Sequence, residues 1–261
     1  MKHLQRVSII GSGNLAEALA RAIDLSDLDL VQIIARNEER GKEVARLAHT
    51  SWCNHSAYLL PADIYIISVS DRAVKEVAEW MPLPEDAVIA HTAGSVAMDV
   101  LPARFAHRAV FYPLQTFTKG RQVDFREIPI FLETSTDELR QEMEYFAHRL
   151  AQNVYYANTS MRTKIHLAGV FTCNFANYMY TLGEEIVHEA GVGFDVLRPI
   201  IRETAAKAAE STSPIHVQTG PAVRHDLATQ ERHQTMLSDR ESMLEIYQII
   251  SQNIWETSKK I

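Results

Sequence analysis

The stretch Val7-Ser8-Ile9-Ile10-Gly11-Ser12-Gly13-Asn14-Leu15-Ala16 constrains the fold more than any other part of the chain. Apolar residues interrupted only by Ser8 predict a short buried strand. Gly11-Ser12-Gly13 predicts a tight turn, and Leu15, Leu19 and Ile23 with Ala16, Ala18, Ala20 and Ala22 predict a helix with a small-residue face. Strand, G-x-G-x-x-A turn and helix together form the dinucleotide-binding fingerprint. Gly11 permits the turn, Gly13 lets backbone approach a pyrophosphate, and Ala16 lets the helix lie close on its strand. The helix N-terminus then presents free N–H groups and a positive dipole end to phosphates. Ser12, Asn14 and Leu15 complete this set of cofactor-binding candidates.

A second strand, Leu30 to Ala35, runs into Arg36-Asn37-Glu38. Sites that prefer NAD usually carry Asp or Glu here, to accept from the ribose hydroxyls. Arg36 can instead stack on adenine and pair with a 2′-phosphate, and Asn37 can donate to it. No carboxylate appears before Glu38, so the predicted cofactor is NADP. A helix is predicted over 37–48, then a third strand over 64–69. The latter leads into Ser70-Asp71 and a helix holding Val74, Val77 and Trp80. Val69 and Ser70 are expected to border the nucleotide, as this loop does in doubly wound sheets.

Strands are predicted next over 87–91, 109–112 and 128–133, an amphipathic helix over 137–151 and a last short strand over 153–156. Pro129 points to an edge or a strand start. From Ser160 the pattern changes. Met161 to Ala190 reads as one long, largely apolar helix, and Phe194 to Ser211 and Asp239 to Ser258 as two more. Residues 213–221 read as a loop and 230–237 as a shorter helix. The fold class is therefore α/β: a Rossmann-type doubly wound parallel sheet over residues 1–157, followed by an all-α domain over 158–261.

Composition narrows the function classes. A 46% apolar share supports a real core, and a net charge of −7 without any Lys/Arg run argues against nucleic acid. Cys53 and Cys173 form no C-x-x-C, which fits a reducing compartment. No secretory leader and no membrane span are predicted, so a cytoplasmic location is expected. His216, His225 and His233 form no H-x-x-x-H pattern, and no metal is predicted.

The Gly11-Ser12-Gly13-Asn14-Leu15 start with Ala35-Arg36-Asn37 resembles the deazaflavin-dependent NADP oxidoreductases, within the pyrroline-5-carboxylate reductase and 6-phosphogluconate dehydrogenase superfamily. Four further segments are similar to a bacterial family of Rossmann-like NADP oxidoreductases whose helical C-terminal domain has no known function. They are His91-Thr92-Ala93-Gly94-Ser95, Tyr112 to Phe117, His166 to Phe171 with Asn174, and Thr219-Gly220-Pro221 with Arg224 and Asp226. The resemblance spans nearly the whole chain. It implies the fold, an NADP site and a homodimer joined through the helical domain, and no particular substrate.

Nicotinamide chemistry belongs to the cofactor, while the protein positions substrate and handles a proton. His91, His166 and Tyr112 are candidate proton donors. Hydroxyacid dehydrogenases of this superfamily carry Lys and, four residues on, Asn; here Lys164 is followed by Ala168. At about 100° per residue His166, Cys173 and Asn177 share a helix face, with Asn174 beside it and Lys164 nearly opposite. His166, His91 and Asn174 are thus the catalytic candidates. Ser95 with nearby backbone N–H groups is expected to take a substrate carboxylate, and Gln115 and Thr116 to add hydrogen bonds. Arg224 and Asp226 are expected at the substrate as well, from the same subunit or a neighbour. The predicted reaction is hydride transfer between NADP(H) and a small carboxylate-bearing ketone, imine or alcohol. A non-catalytic NADP(H) sensor and a pyrroline-5-carboxylate reductase are the alternatives, although Thr219-Gly220-Pro221 stands where the latter carries Pro-Gly-Gly.

Overall fold

The computed structural model describes residues 3–54 and 59–260. Among these, eight strands form one sheet: β1 (Arg6–Ile10), β2 (Asp29–Ile34), β3 (Ser51–Cys53), β4 (Ile64–Ile67), β5 (Val88–His91), β6 (His107–Pro113), β7 (Ile130–Thr134) and β8 (Val154–Tyr156). Their order is β3-β2-β1-β4-β5-β6-β7-β8. The strands β1 to β6 are parallel, β7 runs antiparallel to β6, and β8 is parallel to β7. The order reverses between β1 and β4, which opens a crevice beyond their carboxyl ends.

The sheet is buried on both faces, and that accounts for strands rich in Ile and Val rather than cleanly alternating. Val7 and Ile9, Ile64 and Ile66, and Val88 and Ala90 point to one face. There they meet helices α1 (Asn14–Asp24), α2 (Glu38–Leu47) and α4 (Asp137–His148) through Leu19, Val44, Met143 and Phe146. Ile10, Tyr65, Ile67 and Ile89 point to the other, against α3 (Val74–Trp80) and Phe105. Each fully buried Ile or Val contributes about 1.5–3 kcal/mol relative to exposure.

Two expectations need correction. The strand predicted over 64–69 is the fourth in the chain and ends at Ile67, because β3 precedes it. With only Ser51-Trp52-Cys53, β3 is too short to carry a periodic pattern; Trp52 anchors it, its indole N–H donating to the Ala35 carbonyl at 3.1 Å. The long helix predicted over 161–190 is also not uniform. It comprises α5 (Thr159–Gly169), a π-helical turn over Val170–Phe175 and α6 (Ala176–Glu189). A wider turn breaks the 100° arithmetic, so Asn174 and Asn177 do not inherit their angular relation to His166.

By internal contacts the chain divides into two compact units, Met1–Asn174 and Phe175–Ile261. The second is all-helical among its described residues. It contains α6, α7 (Arg198–Glu210, with Pro199 in its first turn), α8 (Leu227–Met236) and α9 (Glu241–Ser258). His233 Nδ1 lies 3.0 Å from the Tyr247 hydroxyl, and His225 stacks on Trp255 with ring centroids 4.2 Å apart. Among the described residues no helix is long and apolar enough to cross a membrane.

Candidate functional site

Within the first unit, a cavity of about 640 Å³ lies along the carboxyl ends of β1, β2, β4, β5 and β6. Gly11, Ser12, Gly13, Asn14 and Leu15 line its middle, Arg36 and Asn37 one end, and Val69, Ser70, Thr92, Gly94, Tyr112, Gln115 and His166 the rest. All nine cofactor-binding candidates therefore face one space.

The glycine-rich turn is shaped by close approach. Gly11 has φ +132°, and a Cβ there would sit 2.0 Å from the Ser68 carbonyl oxygen on the neighbouring β4 loop. At Gly13 a Cβ would meet nothing within 4 Å, so that space belongs to the cavity. Gly13 caps α1 without any side-chain hydrogen bond, leaving the first N–H groups of the helix to a ligand. Such an unfilled cradle at a helix N-terminus fits a pyrophosphate. Two contacts hold it from below and from the side. Arg40 donates from Nε to the Ser12 carbonyl at 3.1 Å while pairing with Glu17 and Glu43. Asn14 Nδ2 donates to the Phe117 carbonyl at 3.0 Å, tying α1 to the segment after β6. Burial opposes ionisation of Glu17, yet Arg40 and Arg21 hold its carboxyl below the usual range. Arg40 was not singled out from the sequence, since its clamp joins it to groups 23 and 28 positions away.

At the end of β2 the two basic residues divide their work. Arg40 is committed, whereas Arg36 is exposed and makes no ion pair among the described residues. Asn37 caps α2, its Oδ1 accepting the Arg40 N–H at 3.0 Å. That fixes the amide and leaves Nδ2 as a donor. Arg36 and Asn37 together fit a phosphate on the ribose.

At the far end, Tyr112 on β6 and His166 on α5 meet: the hydroxyl lies 3.2 Å from Nδ1 and the rings pack edge to face. Gly94 lies against both, since a Cβ there would come within 2.6 Å of Tyr112 and 2.8 Å of His166. Burial, reinforced by Asp71 and opposed by Arg162, pushes the Tyr112 phenol up from its ordinary value, so it keeps its proton at neutral pH. Arg162 was not foreseen. It is 0% exposed, pairs with Glu133 on β7 and donates to the Val96 carbonyl at 2.5 Å. One turn before His166 on α5, it ties that helix to β7 and to the loop after β5. Its only advance signal was an i, i+4 relation to His166.

Of the remaining candidates, Gln115 lines the cavity and the others do not. His91 is wholly buried behind the loop and does not line the cavity. Burial, then the Arg162 charge, pushes its imidazole down to about 4, and its Nδ1 accepts the Ala93 N–H at 3.2 Å. It is therefore neutral at pH 7 and placed to shape the loop, not to hand a proton to a substrate. Ser95 is turned to Asp71, its hydroxyl donating to Oδ2 at 2.6 Å. A substrate carboxylate there would meet an anion, which counts against the expected role. Gln115 lines the cavity and accepts the Thr116 N–H at 2.7 Å; Thr116 is exposed outside it. Asn174 lies past the start of the π turn and is not a lining residue. In the second unit Asp226 caps α8, accepting the Thr229 N–H at 3.1 Å, a bond that holds its carboxyl below the usual range. Arg224 is exposed and forms no ion pair with it.

Comparison with known proteins gives the family and the fold. Residues 6–94 match the family model described as NADP oxidoreductase, coenzyme F420-dependent, and residues 128–254 match the domain of unknown function DUF2520. A Bacteroides fragilis protein described as a "putative NADP oxidoreductase" is 39% identical, with a TM-score of 0.87 over 97% of this chain and 98% of that one. A Thermotoga maritima protein is 19% identical, with a TM-score of 0.75 over 97% and 98%. A pyrroline-5-carboxylate reductase from Coxiella burnetii, 11% identical with a TM-score of 0.58 over 98% of each chain, shares the fold. No curated protein matches the sequence.

Proposed function

The chain belongs to a family of NADP oxidoreductases whose C-terminal part matches the DUF2520 domain, and from that premise we propose that it transfers a hydride between NADP(H) and a small ketone, imine or alcohol. The observation that carries this reading is the continuity of one cavity from Arg36 and Asn37, past Gly13, to the Tyr112–His166 pair. Arg36 and Asn37 would hold the 2′-phosphate, and Ser12 to Leu15 the pyrophosphate. Val69 and Ser70 would border the nucleoside between them. A bound nicotinamide supplies the hydride. Tyr112 then gives its proton to the oxygen or nitrogen that receives the electron pair of the broken π bond, and His166, in hydrogen-bond contact, replaces it. Burial of Tyr112 keeps that proton in place until it is needed.

Calorimetric titration with NADPH and NADH tests the cofactor half. NADPH is expected to bind at least tenfold more tightly, and Arg36→Ala to erase the difference, because a charge-assisted phosphate contact is worth about 1.5–3 kcal/mol. Binding of neither nucleotide would end the oxidoreductase reading. Tyr112→Phe tests the chemical half. It is expected to lower kcat about a hundredfold with NADPH affinity unchanged; a fall below threefold would remove Tyr112 from the proton path.

A second copy of the chain is proposed to cover the helical unit, in a cytoplasmic homodimer. Buried apolar residues among 175–260 are Ala222, Leu237 and Met243, whereas Ile200, Met236 and Ile249 are 61–71% exposed. So small a core leaves a large apolar surface in need of a partner. Sedimentation of a monomer at micromolar concentration would contradict this.

A further inference from the structure

We infer that the substrate is cationic at its reacting bond: an iminium reduced to an amine, rather than a 2-oxo acid. This rests on the hydride-transfer reading above. Asp71 opens a 3-10 turn, four positions past the end of β4, and lines the cavity. Its Oδ2 accepts the Ser95 hydroxyl, and among the described residues it forms no ion pair. Its charge reaches the Tyr112 hydroxyl, where it adds to the effect of burial. Glu76 on α3 lines the same cavity.

Cations are placed otherwise. Arg36 stands at the end of β2, four strand spacings from Tyr112 on β6, which is roughly 19 Å at about 4.8 Å per spacing. Arg162 is nearer but fully buried and committed to Glu133 and Val96. In the sheet unit the reacting end therefore combines a carboxylate, a phenol and an imidazole, with no Lys or Arg lining it. A 2-oxo acid would bring its carboxylate against Asp71. Asp71 is exposed, and an iminium entering the cavity would find its counter-charge there.

The chemistry balances with a reduced nicotinamide dinucleotide as the two-electron reductant. The iminium carbon gains a hydride, the C=N π bond breaks, and its electron pair becomes the lone pair of a neutral amine. That nitrogen then takes one proton from Tyr112, which recovers it through His166 from solvent. Asp71 remains ionised throughout and acts by charge.

Three probes of similar size test this: N-methyl-3,4-dihydroisoquinolinium, which is permanently cationic, 2-tetralone, which is neutral, and 2-oxo-4-phenylbutanoate, which is anionic. Their binding to the NADPH-loaded protein is measured by rapid-mixing fluorescence alongside turnover. The iminium is expected to bind at least tenfold more tightly than either counterpart. Asp71→Asn keeps an acceptor for Ser95, and it is expected to remove that preference while NADPH affinity stays within twofold. Equal or tighter binding of the oxo acid, absence of iminium binding, or a preference that survives Asp71→Asn would overturn the inference while leaving hydride transfer intact. So would a loss confined to NADPH affinity, which would assign Asp71 to the cofactor. Failure of the wild-type protein to bind NADPH at all would instead remove the underlying reading.

Discussion

Arg162→Met is expected to lower the unfolding free energy of the protein by about 3–5 kcal/mol. The guanidinium is 0% exposed and spans three parts of the fold: Glu133 on β7, the Val96 carbonyl after β5 and its own helix α5. Methionine fills much of the volume but returns neither hydrogen bond. Glu133 would keep Thr159, whose N–H and hydroxyl both donate to its Oε1 at 3.1 Å, but lose its counter-charge. The Val96 carbonyl would lose its donor. Breaking one side of a buried pair is more damaging than replacing both. The double variant Arg162→Met/Glu133→Gln is therefore expected to recover part of the loss. Urea unfolding of the single and double variants measures both terms. A single-variant loss below about 1 kcal/mol, or no recovery in the double, would show that this pair does not hold α5 in place.

The second large effect separates two glycines that the motif treats alike. Gly11→Ala should destabilise by about 3 kcal/mol or more, because the new Cβ sits 2.0 Å from the Ser68 carbonyl oxygen at φ +132°. Neither atom belongs to a side chain that can swing away, so β1 and the β4 loop must separate. Gly13→Ala should leave stability within about 1 kcal/mol, since it is extended and its Cβ meets open space. It should instead weaken NADPH binding at least tenfold, as the methyl occupies the phosphate cradle. Thermal melts and NADPH titration of the two variants read the contrast directly. Equal loss of stability in both, or an unchanged NADPH affinity in Gly13→Ala, would undo this division of roles.

Much of the site was legible because it is local. Gly11 to Leu15 form a turn set by φ preferences and by the first turn of a helix, and Arg36 and Asn37 follow a strand end; short-range rules govern both. Strand spans were legible to within a few residues where apolar runs were long, and β3 escaped because three residues carry no period. The π turn escaped because the apolar spacing around Val170–Phe175 does not distinguish 3.6 residues per turn from a wider one.

By itself, the sequence determined the dinucleotide turn, the absence of a carboxylate at the end of β2 and the passage from alternating strands and helices to helices alone. Each depends on neighbours along the chain. Tertiary structure alone decided which distant polar groups meet. Tyr112 and His166 lie 54 positions apart, Asp71 and Ser95 24, and Glu133 and Arg162 29. Sequence treats a buried His91 and a lining His166 alike, and burial separates them: one ring is neutral behind the loop, and the other faces the cavity. The physical reason is that protonation and pairing follow from desolvation and from charges brought within a few ångströms, and packing sets both.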